Sequence, residues 1–197
     1  MVKNIGRPLE FDPDTAVDAA MHLFWSKSYK HTSMQDLLAV MNLSKSSLYQ
    51  TFGGKQQLFR RCLARYADQF SGRLYQGLAA APSGRRFIEE FLHSVLDDVA
   101  GNFEPRGCLV MNTASEFAQS EPEIARDVAK SVERFRGALQ AAVERAQREG
   151  DIAPERDART LAAYLVSSMS GLKVQAKAGA DAQTLKGIIE LVLKALD

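Results

Sequence analysis

TSMQDLLAVMNLSKSSLYQTFGGKQQLF, residues 32–59, is the stretch that decides the fold. Thr32 or Ser33 caps a short helix over residues 33–41, where Leu37, Leu38 and Met41 fall at helical spacing. Asn42-Leu43 makes a turn. Ser44 caps a second short helix from Lys45 to Thr51, and Gly53-Gly54 stops it, as glycine does just past a helix C-terminus. A long helix opens at Lys55 and runs to about Leu78. The pair of short helices reads as a helix-turn-helix. Leu37, Leu38, Met41, Leu43 and Leu48 pack one helix across the other, and the second helix turns small polar and basic side chains outward.

Those outward residues suit nucleic acid. Ser46 and Ser47 let a helix approach base edges closely, and Lys45 and Gln50 donate to guanine or adenine edges in a major groove. Tyr49, Thr51 and Lys55 suit phosphate contact, which sets register, and Thr32, Ser33 and Ser44 flank them as further candidate DNA-binding residues. Upstream, Asp12-Pro13 opens a helix over residues 13–28 with Ala16, Ala20, Leu23, Phe24 and Trp25 on one face. Before it, Gly6-Arg7-Pro8 reads either as an arm whose Arg7 reaches the minor groove or as a tail.

Charge agrees locally rather than globally. The 197-residue chain carries a net charge of +1. In its first third, however, Lys3, Arg7, Lys27, Lys30, Lys45, Lys55, Arg60, Arg61 and Arg65 outnumber Glu10, Asp12, Asp14, Asp18 and Asp36. One positive face is all that phosphate contact requires. Hydrophobic residues at 46% and charged residues at 25% describe an ordinary globular chain. No apolar run reaches the roughly 20 residues that span a bilayer. No apolar core follows the basic residues at the N-terminus, so a cytoplasmic location is expected.

Downstream the periodicity stays helical. Ala80 to Gly84 reads as a linker. Phe87, Phe91, Val95 and Val99 keep a four-residue spacing until Pro105-Arg106-Gly107 interrupts, and a modest helix follows through Phe117. Glu121-Pro122-Glu123 starts a long helix to Glu149 with Val128, Val132, Phe135, Leu139 and Val143 in a stripe, and Gly150 ends it. Helices over residues 155–177 and 182–196 close an all-α chain.

The ordered set Thr32 to Leu37, Leu43-Ser44-Lys45-Ser46-Ser47-Leu48-Tyr49, Phe52-Gly53-Gly54-Lys55 and Leu58-Phe59 resembles the DNA-binding signature of the TetR family. Asn42 stands where that family usually has glycine, and asparagine is the next best residue for a left-handed turn. Thr51 stands where many relatives place histidine. The resemblance implies an N-terminal three-helix DNA-binding domain over residues 1–54. It implies a helical regulatory and dimerisation domain over residues 55–197, and a homodimeric repressor released from a palindromic operator by an effector. A transcriptional activator of the same fold, or a helical ligand-binding module that binds no DNA, remain the alternatives.

The second domain offers material for both implied roles. Phe87, Phe91, Phe103, Met111, Phe117, Tyr164 and Met169 either line an effector pocket or fill the core. Ala162, Ala163, Ser167, Ser168, Gly171, Ala176 and Ala178 are small residues that let helices approach. Leu161, Leu165, Leu172, Leu185, Ile188, Ile189, Val192 and Leu193 add apolar area for a two-fold four-helix bundle. Arg106-Gly107-Cys108-Leu109-Val110 resembles a Gly-Cys-Leu segment of electrophile-sensing TetR-type repressors. Cys108 sits near a helix start and beside Arg106, which favours a reactive thiolate, but free cysteine is also a common buried residue. Cys62 reads as inert. His22, His31 and His93 are too scattered for a metal site, and no catalytic constellation or cofactor fingerprint is present, so no enzyme is expected.

Overall fold

The computed structural model describes residues 11–101, 105–117 and 120–197. Every regular element among them is an α-helix: α1 Pro13–Lys27, α2 Met34–Met41, α3 Lys45–Phe52, α4 Lys55–Ala80, α5 Gly84–His93, α6 Val95–Ala100, α7 Leu109–Phe117, α8 Pro122–Glu149, α9 Ala158–Lys177 and α10 Ala182–Lys194. No helix among the described residues is long and apolar enough to cross a membrane.

The helices group into two compact units, residues 1–62 and 63–197. The first two turns of α4 belong to the first unit, although the sequence suggests a division at Lys55. Leu58, Phe59 and Cys62 are buried there. Phe59 meets Phe24 of α1 edge-on at 4.9 Å, and the Cys62 thiol donates to the Val17 carbonyl at 3.6 Å.

Local chemistry explains the ends of the first unit's helices. Asp12 accepts from the backbone of Asp14 and Thr15, with Pro13 at the first helical position. Ser33 and Asp36 form a reciprocal capping box on α2. Ser44 accepts from the Ser47 N–H and starts α3, and Gly53 at φ 81° ends it. Asn42 adopts the left-handed conformation at φ 51°, ψ 47°, as the turn requires. The buried face of α1 is Ala16, Val17, Ala20, Met21 and Phe24, while Leu23 and Trp25 are only half-buried. The inward stripe thus keeps Ala16, Ala20 and Phe24 as expected and takes Val17 and Met21 in place of Leu23 and Trp25.

In the second unit, the expected continuous helix from Phe87 to Val99 is two. The Ser94 hydroxyl donates to the Phe91 carbonyl at 2.7 Å, and α6 restarts at Val95. Side-chain capture of a backbone carbonyl competes with continued helix and bends it. α8 buries Ile124, Val128, Ser131, Phe135, Ala138, Leu139, Ala142, Val143 and Ala146. Ser131 takes the inward place expected for Val132; its hydroxyl donates to the Asp127 carbonyl at 2.8 Å and so is satisfied within the helix. α9 starts three residues later than expected, at Ala158, because Asp157 caps it through the Thr160 N–H; α10 starts as expected, capped by Asp181 through the Thr184 N–H, and stops two residues early at Lys194.

Candidate nucleic-acid interface and effector cleft

α3 is held by two side chains and free on its other face. Leu48 is fully buried and Phe52 nearly so, one turn apart. Phe52 is also met by Phe11 at 6.3 Å and by the Arg61 guanidinium at 5.3 Å. Lys45, Ser46 and Gln50 are exposed, Ser47 and Thr51 half-buried, and Tyr49 is 48% exposed. Ser46 and Gln50 lie opposite the buried anchors, so the helix presents a polar, cationic ridge. The Tyr49 ring leans against Gly54, whose φ of 127° is strained for any residue with a side chain.

The flanking residues divide. Ser33 and Ser44 are exposed caps, and the Ser44 and Ser47 hydroxyls lie 2.9 Å apart. Thr32, expected among the DNA contacts, is 1% exposed. Its hydroxyl donates to the Ser28 carbonyl at 2.6 Å, so it holds the α1–α2 connection and has nothing left to offer a phosphate. Lys55 stands at the first position of α4 with its ammonium 4.2 Å from the centre of the Tyr29 ring. Tyr29 in turn packs on Phe59 and Phe24, at 4.9 and 5.9 Å. That aromatic stack was not anticipated; a lone tyrosine after Ser28 carries no periodic signal. Arg7 lies outside the described residues.

Two clefts of the second unit bear on a ligand. One is a slot walled by Phe70 and Leu74 of α4, Phe91 of α5, Cys108, Met111 of α7, Phe135 and Leu139 of α8, and Val166, Met169, Ser170 and Lys173 of α9. It encloses about 360 Å³ counted to its mouth, yet the interior in which a water-sized sphere can move is only about 20 Å³. The slot is closely packed and almost wholly apolar. The other, about 440 Å³ counted to its mouth, lies between α7 and α8 against Thr113, Ala114, Phe117, Ala125, Val128 and Ala129.

The expected pocket residues are shared out between these places. Phe91, Met111 and Met169 line the slot, and Phe117 lines the α7–α8 cleft. Phe87 is buried beside the slot's Phe91, with ring centres 6.3 Å apart. Tyr164 is 38% exposed on α9 and lines neither cleft. Phe103 lies outside the described residues. The side chains the sequence did not suggest, Phe70, Leu74, Phe135 and Leu139, come from long helices where apolar periodicity marks a core face and not a void.

Cys108 is in the slot wall, buried at 9% exposure. The Tyr66 hydroxyl donates to its sulfur at 3.7 Å. Burial, and then the neighbouring thiol, push the Tyr66 phenol far above its ordinary range, so it remains a hydrogen-bond donor at any physiological pH. Cys62 is fully buried in the first unit. Among the described residues, no three His, Cys, Asp or Glu side chains are grouped to hold a metal.

Comparison with known proteins agrees with the helix-turn-helix and with the helices behind it. Residues 16–62 match the family model "Bacterial regulatory proteins, tetR family", and residues 84–192 match "Tetracyclin repressor-like, C-terminal domain". The transcriptional repressor ComR of Escherichia coli (strain K12) is 29% identical over 98% of this chain and 92% of its own length. The repressor BdcR of the same strain is 30% identical over 88% of this chain and 83% of its own. A cysteine mutant of the TetR-family regulator CifR, solved with a 26-bp double-strand operator DNA, is 33% identical. It superposes with a TM-score of 0.82 over 97% of this chain and 100% of that one. These relatives are regulators and not enzymes. The chain belongs to the TetR family of DNA-binding transcriptional regulators.

Proposed function

We propose that the protein is a cytoplasmic homodimeric repressor that binds a palindromic operator and leaves it when an effector occupies the second unit. The observation that carries this reading is α3: a short capped helix on two buried anchors, with Lys45, Ser46 and Gln50 on its open face. In this reading those three meet base edges in the major groove, and Ser33, Ser44, Ser47, Tyr49, Thr51 and Lys55 meet or position phosphates. The Arg7 arm adds a backbone or minor-groove contact. Two such helices in a dimer stand one DNA turn apart, about 34–36 Å. The operator complex of CifR supports the double-stranded partner.

The effector acts on the slot, either as a non-covalent ligand or by modifying Cys108. α4 gives residues 55–62 to the first unit and 63–80 to the second, which makes it the element through which occupancy is felt. Emptying the operator decisively requires roughly 5 kcal/mol of differential effector affinity.

Fluorescence anisotropy on the protein's own upstream DNA tests both halves. Nanomolar binding with a steep salt slope is expected, and Lys45→Ala or Gln50→Ala shifts sequence preference across a library of half-sites. Weak, salt-independent binding would sink the repressor reading. Release by N-ethylmaleimide from the wild type but not from Cys108→Ser makes the thiol the switch. Release from neither leaves a non-covalent ligand.

A further inference from the structure

The apolar slot contains one cation, and it is already answered. Lys173 lines the wall, and its ammonium is 2.7 Å from the Asp98 carboxylate. The two side chains are 16% and 32% exposed, and Asp98 comes from the separate six-residue helix α6. The wall's hydroxyl, that of Ser170, donates to the Val166 carbonyl at 2.7 Å. The remaining walls are hydrocarbon, aromatic or sulfur.

An ionised ligand entering such a slot loses its water and meets no uncommitted counter-charge, which is costly. An uncharged apolar ligand loses nothing comparable, and its area leaves water. Met111 and Met169, which are unbranched and adaptable, are the wall members best able to yield room. Resting on the reading of this slot as the effector site, we propose that its occupant is an uncharged lipophilic molecule. Asp98 sets that specificity by holding the Lys173 charge and so keeping organic anions out.

The test uses two fluorescent probes with the same ring skeleton, neutral N-phenyl-1-naphthylamine and its anionic relative 8-anilinonaphthalene-1-sulfonate, titrated into the full chain. Wild type binds the neutral probe at least about tenfold more tightly. Asp98→Asn leaves the neutral probe unchanged and strengthens the sulfonate by about tenfold, the scale of one newly available ion pair. Adding Lys173→Met removes that gain. Val166→Phe, or Met169→Phe should the first fail to fold, fills the slot and abolishes neutral-probe binding. Neutral-probe binding that slot filling blocks, with a sulfonate affinity indifferent to Asp98→Asn, overturns this inference and spares the effector site. Absent binding, or binding indifferent to both filling variants, removes the effector site and the inference together.

Discussion

Single residues set the chemistry of the first unit in ways that titration and substitution can read. Asp36 accepts from the Ser33 backbone and hydroxyl and lies 3.2 Å from Lys27, and these bonds hold its carboxyl down from 3.8 to about 2. A carboxylate depressed on folding stabilises the protein above its unfolded value, and that contribution disappears as pH falls through the folded one. The melting temperature of the wild type should therefore exceed that of Asp36→Asn from pH 5 to 7, and the gap should close between about pH 4 and pH 2. A gap constant down to pH 2 would mean that the difference between Asp36 and Asn does not come from the carboxylate's charge. Tyr29 is the second such residue. Its ring carries Lys55 and also packs on Phe24 and Phe59. If Lys55 meets a phosphate, Tyr29 is its positioning residue, and cation–π contacts of this exposure contribute about 1 kcal/mol. Operator affinity should fall about fivefold in Tyr29→Leu and stay level in Tyr29→Phe, as read by anisotropy over a salt series. Equal losses in both variants would point instead to the hydroxyl.

At the scale of elements, the crossing of α5 on α8 turns on a missing side chain. A Cβ on Gly84 would lie 2.5 Å from both the Ala142 carbonyl oxygen and the Ala146 nitrogen. The Gly84 N–H also donates to Glu149 at 2.7 Å, which with Arg145 lowers the Glu149 carboxyl below its ordinary value. Gly84→Ala should lower stability by about 3 kcal/mol, since the backbone of α8 cannot give way as a flexible side chain can. Urea unfolding checks this as a lower midpoint with an unchanged slope. The sequence could not announce that role. A glycine after Pro82 and Ser83 reads as linker until it is known which helices cross there. Features that depend on neighbours in the chain were legible: Asp12, Ser33 and Ser44 as caps, Gly53 and Gly150 as stops, Asn42 as a left-handed turn. The α5–α6 break was hidden, because Phe87, Phe91, Val95 and Val99 continue their spacing across Ser94. Thr32 was misread for the same reason: a hydroxyl beside a cap looks available until the Ser28 carbonyl is placed beneath it. The slot draws walls from five helices and Cys108, and its Asp98–Lys173 pair joins residues 75 apart in sequence, so neither spacing nor composition could assemble it.

For the whole molecule, the open question of assembly is sharpened by where apolar surface remains. Leu161, Leu165, Leu172, Leu185, Ile189 and Val192, part of the set a bundle interface would draw on, are buried within the chain's own second unit. The surface left for a partner is different. Leu191 at 69% and Val174 at 60% are the most exposed large apolar side chains among the described residues, and Tyr164 is 38% exposed. Along α9, Ala163, Tyr164, Ser167, Gly171 and Val174 are exposed at three- and four-residue spacing, small residues alternating with large. Such a stripe admits a close helix neighbour. A two-fold dimer that uses it would bury Val174 and Leu191 in each protomer. Val174→Glu with Leu191→Glu should then convert the dimer to a monomer in light scattering after size exclusion, while each chain still melts cooperatively. Tyr75→Glu, which charges a 49%-exposed apolar residue on α4, should leave the dimer intact. Operator affinity of the monomer should drop on the order of 100-fold, because each half-site is then bound without the effective concentration the second provides. A chain that remains dimeric with both glutamates in place would move the interface off α9 and α10.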